Sequence, residues 1–339
     1  MSILVIYAGG TIGMQPGPAG LAPVPGALTE RLQQLAPDAD LIEYTPLLDS
    51  SAMGPAHWNR IATDIIGRGY EYDGFLVLHG TDTLAWTASA LSMLLRGLNK
   101  PVLLTGAMRP WFEPGSDAPG NVKAALALLG RPEGFAEVGV VMANQLWRGC
   151  RVRKLDCDDD DAFAAPNELP LGRFAAGGWE FALARFRLPA KGVSPDVLPV
   201  NDAARVLHVQ LAPGFSVEWL ADALRNAAPD ALLLQSFGSG NVPAHPDLLS
   251  VLADLAVRIP VVNLSICPRG TARPGLYAAG VLADGAMLDG GQMTPEAALT
   301  KLYAVLREGH GVEARARAFV EDWCGEHGEA DSTTGRAVV

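Results

Sequence analysis

The feature that most constrains this chain is a regular alternation of two kinds of segment. Short apolar, β-branched runs recur at Ile3–Tyr7, Gly74–His79, Val102–Thr105, Val138–Met142, Val206–Val209, Ala231–Leu234 and Val261–Leu264. Longer amphipathic stretches fall between them, near 27–35, 55–68, 83–97, 120–129, 215–227, 246–256, 294–307 and 312–323. A strand that is apolar along its whole length must be covered on both faces, and helices packed on a parallel sheet provide that cover. The pattern therefore predicts an α/β fold.

At roughly 150 residues per domain, 339 residues make about two domains. The proline- and glycine-bearing stretch from Phe186 to Pro195 precedes a fresh strand–helix series. It predicts an N-terminal α/β domain over residues 1–190 and a C-terminal α/β domain over 200–325. Residues 326–339 are small and polar and are expected to fray.

Composition narrows the functional classes. Hydrophobic residues are 49% of the chain and charged residues 19%, which excludes disorder, and the net charge of −11 disfavours a nucleic-acid partner. No apolar run reaches the 18 or more residues of a membrane span, and the start Met1-Ser2-Ile3-Leu4 has neither a basic segment nor a cleavable apolar one. A soluble, cytoplasmic protein with no membrane partner is expected. The four cysteines, Cys150, Cys157, Cys267 and Cys324, form no C-x-x-C pair, and the six histidines are scattered singly, so neither a disulfide scaffold nor a metal site is expected.

In open α/β sheets ligands bind where strands end, so the residues following each strand are the first candidates. After Ile3–Tyr7 comes Ala8-Gly9-Gly10-Thr11-Ile12-Gly13-Met14, whose glycines allow a sharp turn that presents the Thr11 hydroxyl. A dinucleotide fingerprint would run directly into a helix, but the prolines and glycines of Gln15-Pro16-Gly17-Pro18-Ala19-Gly20 oppose one. The segment reads as a loop over a site rather than a cofactor cradle. After Gly74–His79 comes Gly80-Thr81-Asp82-Thr83 at the start of a helix. These residues either cap that helix or turn a hydroxyl and a carboxylate toward a pocket. After Val102–Thr105 comes another glycine-opened turn, Gly106-Ala107-Met108-Arg109-Pro110. Lys154, in Arg151-Val152-Arg153-Lys154-Leu155-Asp156, precedes an acidic run, Asp158 to Asp161, that reads as a solvated loop.

Together these segments resemble the bacterial L-asparaginase family. The resemblance runs from Ile3-Leu4-Val5 to the helix beginning Met293-Thr294-Pro295, and rests on Gly9-Gly10-Thr11-Ile12-Gly13 and Leu76-Val77-Leu78-His79-Gly80-Thr81-Asp82-Thr83. The stretch from Glu43 to Met53, through Leu48-Asp49-Ser50-Ser51, is similar to the cytoplasmic type I form. The resemblance implies a larger N-terminal domain with a mostly parallel, flavodoxin-like sheet and a smaller parallel C-terminal one. It also implies hydrolysis of L-asparagine to L-aspartate and ammonia without metal or cofactor, in a homodimer or homotetramer.

By the same resemblance Thr11 is the nucleophile that forms an acyl-enzyme, and Thr81, Asp82 and Lys154 form the second catalytic group. A lysine serves as a base only when partly neutral, which burial promotes and an adjacent carboxylate opposes. The substrate-binding residues implied are Asp49, Ser50, Ser51, Asp82, Ala107 and Asn241. Ser50 would hold the α-carboxylate and Asp82 the α-ammonium. Ala107 would offer its carbonyl to the side-chain amide, and Asn241 would complete the site of a neighbouring subunit.

Three departures stand out. Leu21 replaces the loop tyrosine that activates the nucleophile in the family, and leucine can neither accept nor relay a proton. Ser51 stands where type II enzymes carry glutamine. Arg153 and Gln235 replace a threonine and an arginine of the type I effector pocket, although Cys267 is retained, so asparagine allostery is not expected. Two alternatives follow: a glutaminase-asparaginase of broader specificity, or a weakly active or non-catalytic amino-acid-binding member. The transamidosome subunit that releases ammonia from glutamine shares the catalytic residues but carries an added N-terminal domain, whereas this chain opens at its first strand.

Overall fold

A computed structural model describes residues 1–18, 20–189, 192–193, 199–214, 217–272, 287–307 and 311–328. The chain divides into two compact units, Met1–Asp202 and Ala203–Val339. Asn59 ties Val200 to the first unit: its Nδ2 donates to the Val200 carbonyl at 3.0 Å and its Oδ1 accepts from the Val200 amide at 2.8 Å.

In the first unit the strands are β1 (Ile3–Gly9), β2 (Met14–Gly17), β3 (Gly20–Pro23), β4 (Asp40–Leu48), β5 (Gly74–Leu78), β6 (Val102–Thr105), β7 (Val138–Met142), β8 (Gln145–Arg148), β9 (Arg153–Lys154), β10 (Phe163–Ala164), β11 (Gly172–Ala175) and β12 (Gly178–Phe181). The helices are α1 (Thr29–Leu35), α2 (Pro55–Gly67), α3 (Leu84–Leu94) and α4 (Ala118–Gly130). Among the described residues one sheet runs β12-β11-β8-β7-β6-β5-β1-β4. Strands β4, β1, β5, β6 and β7 are parallel, and β8, β11 and β12 continue the sheet antiparallel. All of β5, β6 and β7 is buried, as uninterrupted apolar runs require.

From β1 the chain steps outward to β4, then crosses back to β5 on the other side of β1. The loops after β1 and β5 therefore diverge at a switch point, the place where an open α/β sheet leaves a crevice. The second unit contains β13 (Val206–Gln210), β14 (Ala231–Ser236), β15 (Val261–Ser265) and β16 (Leu288–Asp289), all parallel. Its helices are α5 (Val217–Ala227), α6 (Pro246–Ala256), α7 (Pro295–Val305) and α8 (Val312–Val320).

Besides the strands added to the seven expected, two local features differ from the sequence reading. The segment after Thr11 is a hairpin, β2 against β3, in which Pro16 faces Leu21. The start of the segment expected to fray is packed: Glu326 is fully buried and pairs with the buried Lys301 of α7, while accepting from the amides of Trp323 and Cys324. Residues 329–339 lie outside the described residues. Among those described, no helix is long and apolar enough to cross a membrane.

Candidate active site

Four loops converge at the C-terminal edge of the first sheet, following β1, β4, β5 and β6. Their approach depends on glycine. Gly10, at φ +93°, lies against Gly80 so closely that a Cβ on Gly10 would overlap the Gly80 Cα and nitrogen. A Cβ on Gly80 would in turn lie 2.5 Å from Ser50 Oγ. Thr11 and Thr81 each follow one glycine of this touching pair. Thr11 opens the short 3₁₀ turn Thr11–Gly13 at intermediate exposure, and Thr81 is buried.

The structure joins Thr81, Asp82 and Lys154. Lys154 Nζ donates to Thr81 Oγ1 at 2.9 Å and to Asp82 Oδ1 at 2.9 Å. The lysine side chain is 19% exposed and the aspartate 63%, so the pair sits at a mouth rather than in the core. Lys154 is held by a two-residue antiparallel ladder in which it faces the buried Phe163, and by the Leu155 amide donating to the Ala162 carbonyl at 2.7 Å.

Ser50 is buried in a 3₁₀ turn capped by Asp49, whose Oδ1 accepts from the Ser51 amide at 2.9 Å. The Ser50 carbonyl accepts from Thr83 Oγ1 at 2.7 Å, which ties the β4 loop to the β5 loop. Thr83 thus binds a neighbouring loop, while α3 has no side-chain cap from it. Ser51 is exposed.

Ala107 is fully buried in a turn held by two side chains of α4 and its entry. Asp117 accepts from the amides of Met108 and Arg109, both at 3.0 Å. Asn121 donates to the Gly106 carbonyl at 3.1 Å and to Asp117 at 3.0 Å, and accepts from the Ala143 amide at 3.0 Å. Sequence reasoning missed both residues, because nothing local marks an Asp and an Asn near a helix start as partners of a distant turn; in the structure Asn121 is buried and Asp117 half-buried. The Trp111 amide, donating to the Ile12 carbonyl at 3.0 Å, links the same turn to the loop of Thr11.

Asn241 lies in the second unit, where its amide donates to the Phe237 carbonyl at 2.8 Å. That turn is braced by Asn263 Nδ2 to the Gly240 carbonyl at 3.0 Å and Ser265 Oγ to the Gly238 carbonyl. Gln235, one of the positions where the sequence departs from the type I pattern, is bonded to His208 at 2.8 Å. The acidic run is built as an Asx-type turn, because Asp156 accepts from the amides of Asp158 and Asp159, which hold its carboxyl below the usual range. Asp156, Cys157 and Asp158 bring possible metal-ligand atoms within 4.8 Å of one another, but all three are exposed and those turn bonds account for their arrangement. Arg109 closes the far side of this loop through an ion pair with Asp160.

Comparison with known proteins matches this architecture. The model of the N-terminal asparaginase domain matches residues 2–186, and that of the glutaminase/asparaginase C-terminal domain matches residues 205–319. The chain is 38% identical over 343 residues to L-asparaginase 1 of Escherichia coli K12, covering 96% of this chain and 97% of the relative. The crystal structure of L-asparaginase I from Vibrio cholerae superposes with a TM-score of 0.85 at 36% identity, over 96% of this chain and 98% of that one. The thermostable L-asparaginase from Thermococcus kodakarensis does so with the same score at 31% identity, over 97% and 100%. Two matched domains in sequence order and near-complete coverage by these relatives establish that the chain belongs to the asparaginase family.

Proposed function

We propose that this enzyme hydrolyses the side-chain amide of L-asparagine to L-aspartate and ammonia, with Thr11 as nucleophile. The observation that carries the reading is Lys154 within 2.9 Å of both Thr81 Oγ1 and Asp82 Oδ1, on a loop whose Gly80 touches the Gly10 that precedes Thr11. A hydroxyl bonded to lysine beside a second, glycine-presented hydroxyl is the arrangement that nucleophilic acyl transfer needs.

In the proposed reaction Thr11 Oγ1 bonds to the amide carbon and its proton moves through Thr81 and Lys154 to the leaving nitrogen. The carbon–nitrogen bond breaks and ammonia departs. Water then attacks the resulting ester, returns a proton to Thr11 and releases aspartate. Leu21, about half exposed on β3, supplies no polar group, so the proton path rests on the lysine group. Ser50 would receive the α-carboxylate and exposed Asp82 the α-ammonium. The Ala107 carbonyl would accept from the amide nitrogen, with Asp49 and Ser51 shaping the rim. We further propose a cytoplasmic homodimer or homotetramer in which Asn241 completes the site of a neighbouring subunit.

The test is ammonia release from L-asparagine, L-glutamine and D-asparagine in parallel, with Thr11→Ala as control. Preferred turnover of L-asparagine, lost in the variant, supports the reading. Equal or better turnover of L-glutamine replaces it with a glutaminase-asparaginase. Binding of asparagine without ammonia release identifies an amino-acid-binding member instead.

A further inference from the structure

The histidine of the second signature segment has no part in the chemistry above, yet its surroundings are unusually well defined. His79 and Thr87 are both fully buried. His79 Nδ1 lies 2.7 Å from the Gly80 carbonyl oxygen and Nε2 lies 2.9 Å from Thr87 Oγ1. A carbonyl oxygen only accepts, so Nδ1 must carry a proton. Burial pushes the imidazole down to about 4, outweighing the bond to the Gly80 carbonyl, which favours the charged ring, so near neutral pH the ring holds that one proton. Nε2 is therefore the acceptor, and Thr87 donates to it.

The backbone of His79 is equally constrained. Its amide donates to the Thr105 carbonyl at 2.9 Å, and Gly106 packs against its carbonyl so closely that a Cβ there would overlap the oxygen. A ring fixed at both nitrogens, on a backbone fixed at both ends, sets the plane of the Gly80–Thr81 peptide. In a planar trans peptide the carbonyl and the following N–H point in opposite directions, so holding the Gly80 oxygen inward fixes where Thr81 begins. Thr81 and Asp82 are the two residues bonded to Lys154.

We propose that His79 is a positioning residue for the amide hydrolysis: clamped between Thr87 and the Gly80 carbonyl as the Nδ1–H tautomer, it orients the turn that presents Thr81 and Asp82 to Lys154. The assignment of this role to the reaction rests on the function proposed above, whereas the tautomer does not. Displacing a reacting group by about 1 Å can cost about 10²-fold in rate, and loss of this clamp acts on that scale.

The experiment combines kinetics with nitrogen-15 spectroscopy of the imidazole in the full-length protein. At pH 7 the wild-type spectrum is expected to show His79 protonated on Nδ1 and unprotonated on Nε2. His79→Leu, which loses both bonds, is expected to lower kcat on L-asparagine by about 10²-fold while KM changes by less than about threefold. His79→Asn, which restores a donor near Nδ1, recovers most of that rate. Thr87→Val, which leaves Nε2 without its donor, lowers kcat more mildly. A merely structural role would instead lower the unfolding midpoint without a selective loss in kcat, and His79→Asn would recover the midpoint rather than the rate.

The proposal is overturned if folded His79→Leu keeps wild-type kcat or if the ring carries its proton on Nε2. Should His79→Leu fail to fold, unchanged kcat in Thr87→Val overturns it. If the wild type releases no ammonia from asparagine, the functional reading fails, and the Nδ1–H signal still reports separately on the clamp.

Discussion

Gly10 and Gly80 pack backbone against backbone, and no other residue fits at either place. A methyl group on Gly10 would overlap Gly80, and one on Gly80 would lie 2.5 Å from Ser50 Oγ. The loops that carry Thr11, Thr81 and Ser50 thus share one contact.

Gly10→Ala should therefore impair both folding and chemistry. Gly10 has a positive φ that alanine adopts only under strain of about 1–3 kcal/mol, and the overlap with Gly80 adds to it. Turnover should fall at least about tenfold. Gly20→Ala is the control: Gly20 also has positive φ, but a Cβ there meets nothing within 4 Å, so only the backbone term is lost. Kinetics and unfolding midpoints of the two variants separate the effects.

Lys154→Met and Thr81→Val should each lower kcat by about 10²-fold or more, because each breaks the same 2.9 Å bond. Residues that act as one unit are strongly non-additive, so the double variant should be little worse than either single one. A multiplicative loss in the double variant would place the two residues on separate paths.

Leu21 allows a gain-of-function test. If the lysine group carries the proton path, Leu21→Ala should change KM more than kcat, since leucine has no polar group to lose in the transition state. Leu21→Tyr restores a hydroxyl on the exposed hairpin and should leave kcat unchanged on this account. An increase in kcat would show that the absent hydroxyl limits the rate.

Asn121→Leu should raise KM for asparagine more than it lowers kcat. It frees the Gly106 carbonyl beside Ala107, the proposed amide acceptor, and leaves the Ala143 amide without its partner. Stranding the buried Gly106 carbonyl costs about 1–3 kcal/mol, and the half-buried Ala143 amide less, which an unfolding titration would detect.

Stability should fall as pH drops from about 6.5 toward 4. Burial holds His79 at about 4, against 6.5 when unfolded, so between these values the unfolded chain binds a proton that the folded chain excludes. The contribution is fully present above 6.5 and amounts to about 3 kcal/mol across the window. His79→Gln cannot titrate, and its unfolding midpoint should decline less between pH 7 and pH 4.5 than that of the wild type.

The sequence by itself determined the elements whose residues repeat locally. All seven expected strands and all eight expected helices are present, because a run such as Val138–Met142 or the amphipathic spacing of Leu220, Ala221 and Leu224 expresses burial within a few residues. Edge strand β4 escaped this reading: with Pro46 and alternating polar residues it is buried along only part of its length, and its place beside β1 is a long-range choice. The Gly9-Gly10-Thr11 and Gly80-Thr81-Asp82 loops were visible as chemistry at strand ends. Lys154 drew attention only through the family resemblance, since its partners lie 73 and 72 residues away. Tertiary structure alone decided that His79 is clamped, that Asp117 and Asn121 hold the Ala107 turn, and that Glu326 is buried against Lys301. A buried polar group needs a partner, and which distant group becomes that partner is set by how the sheet brings its loops together.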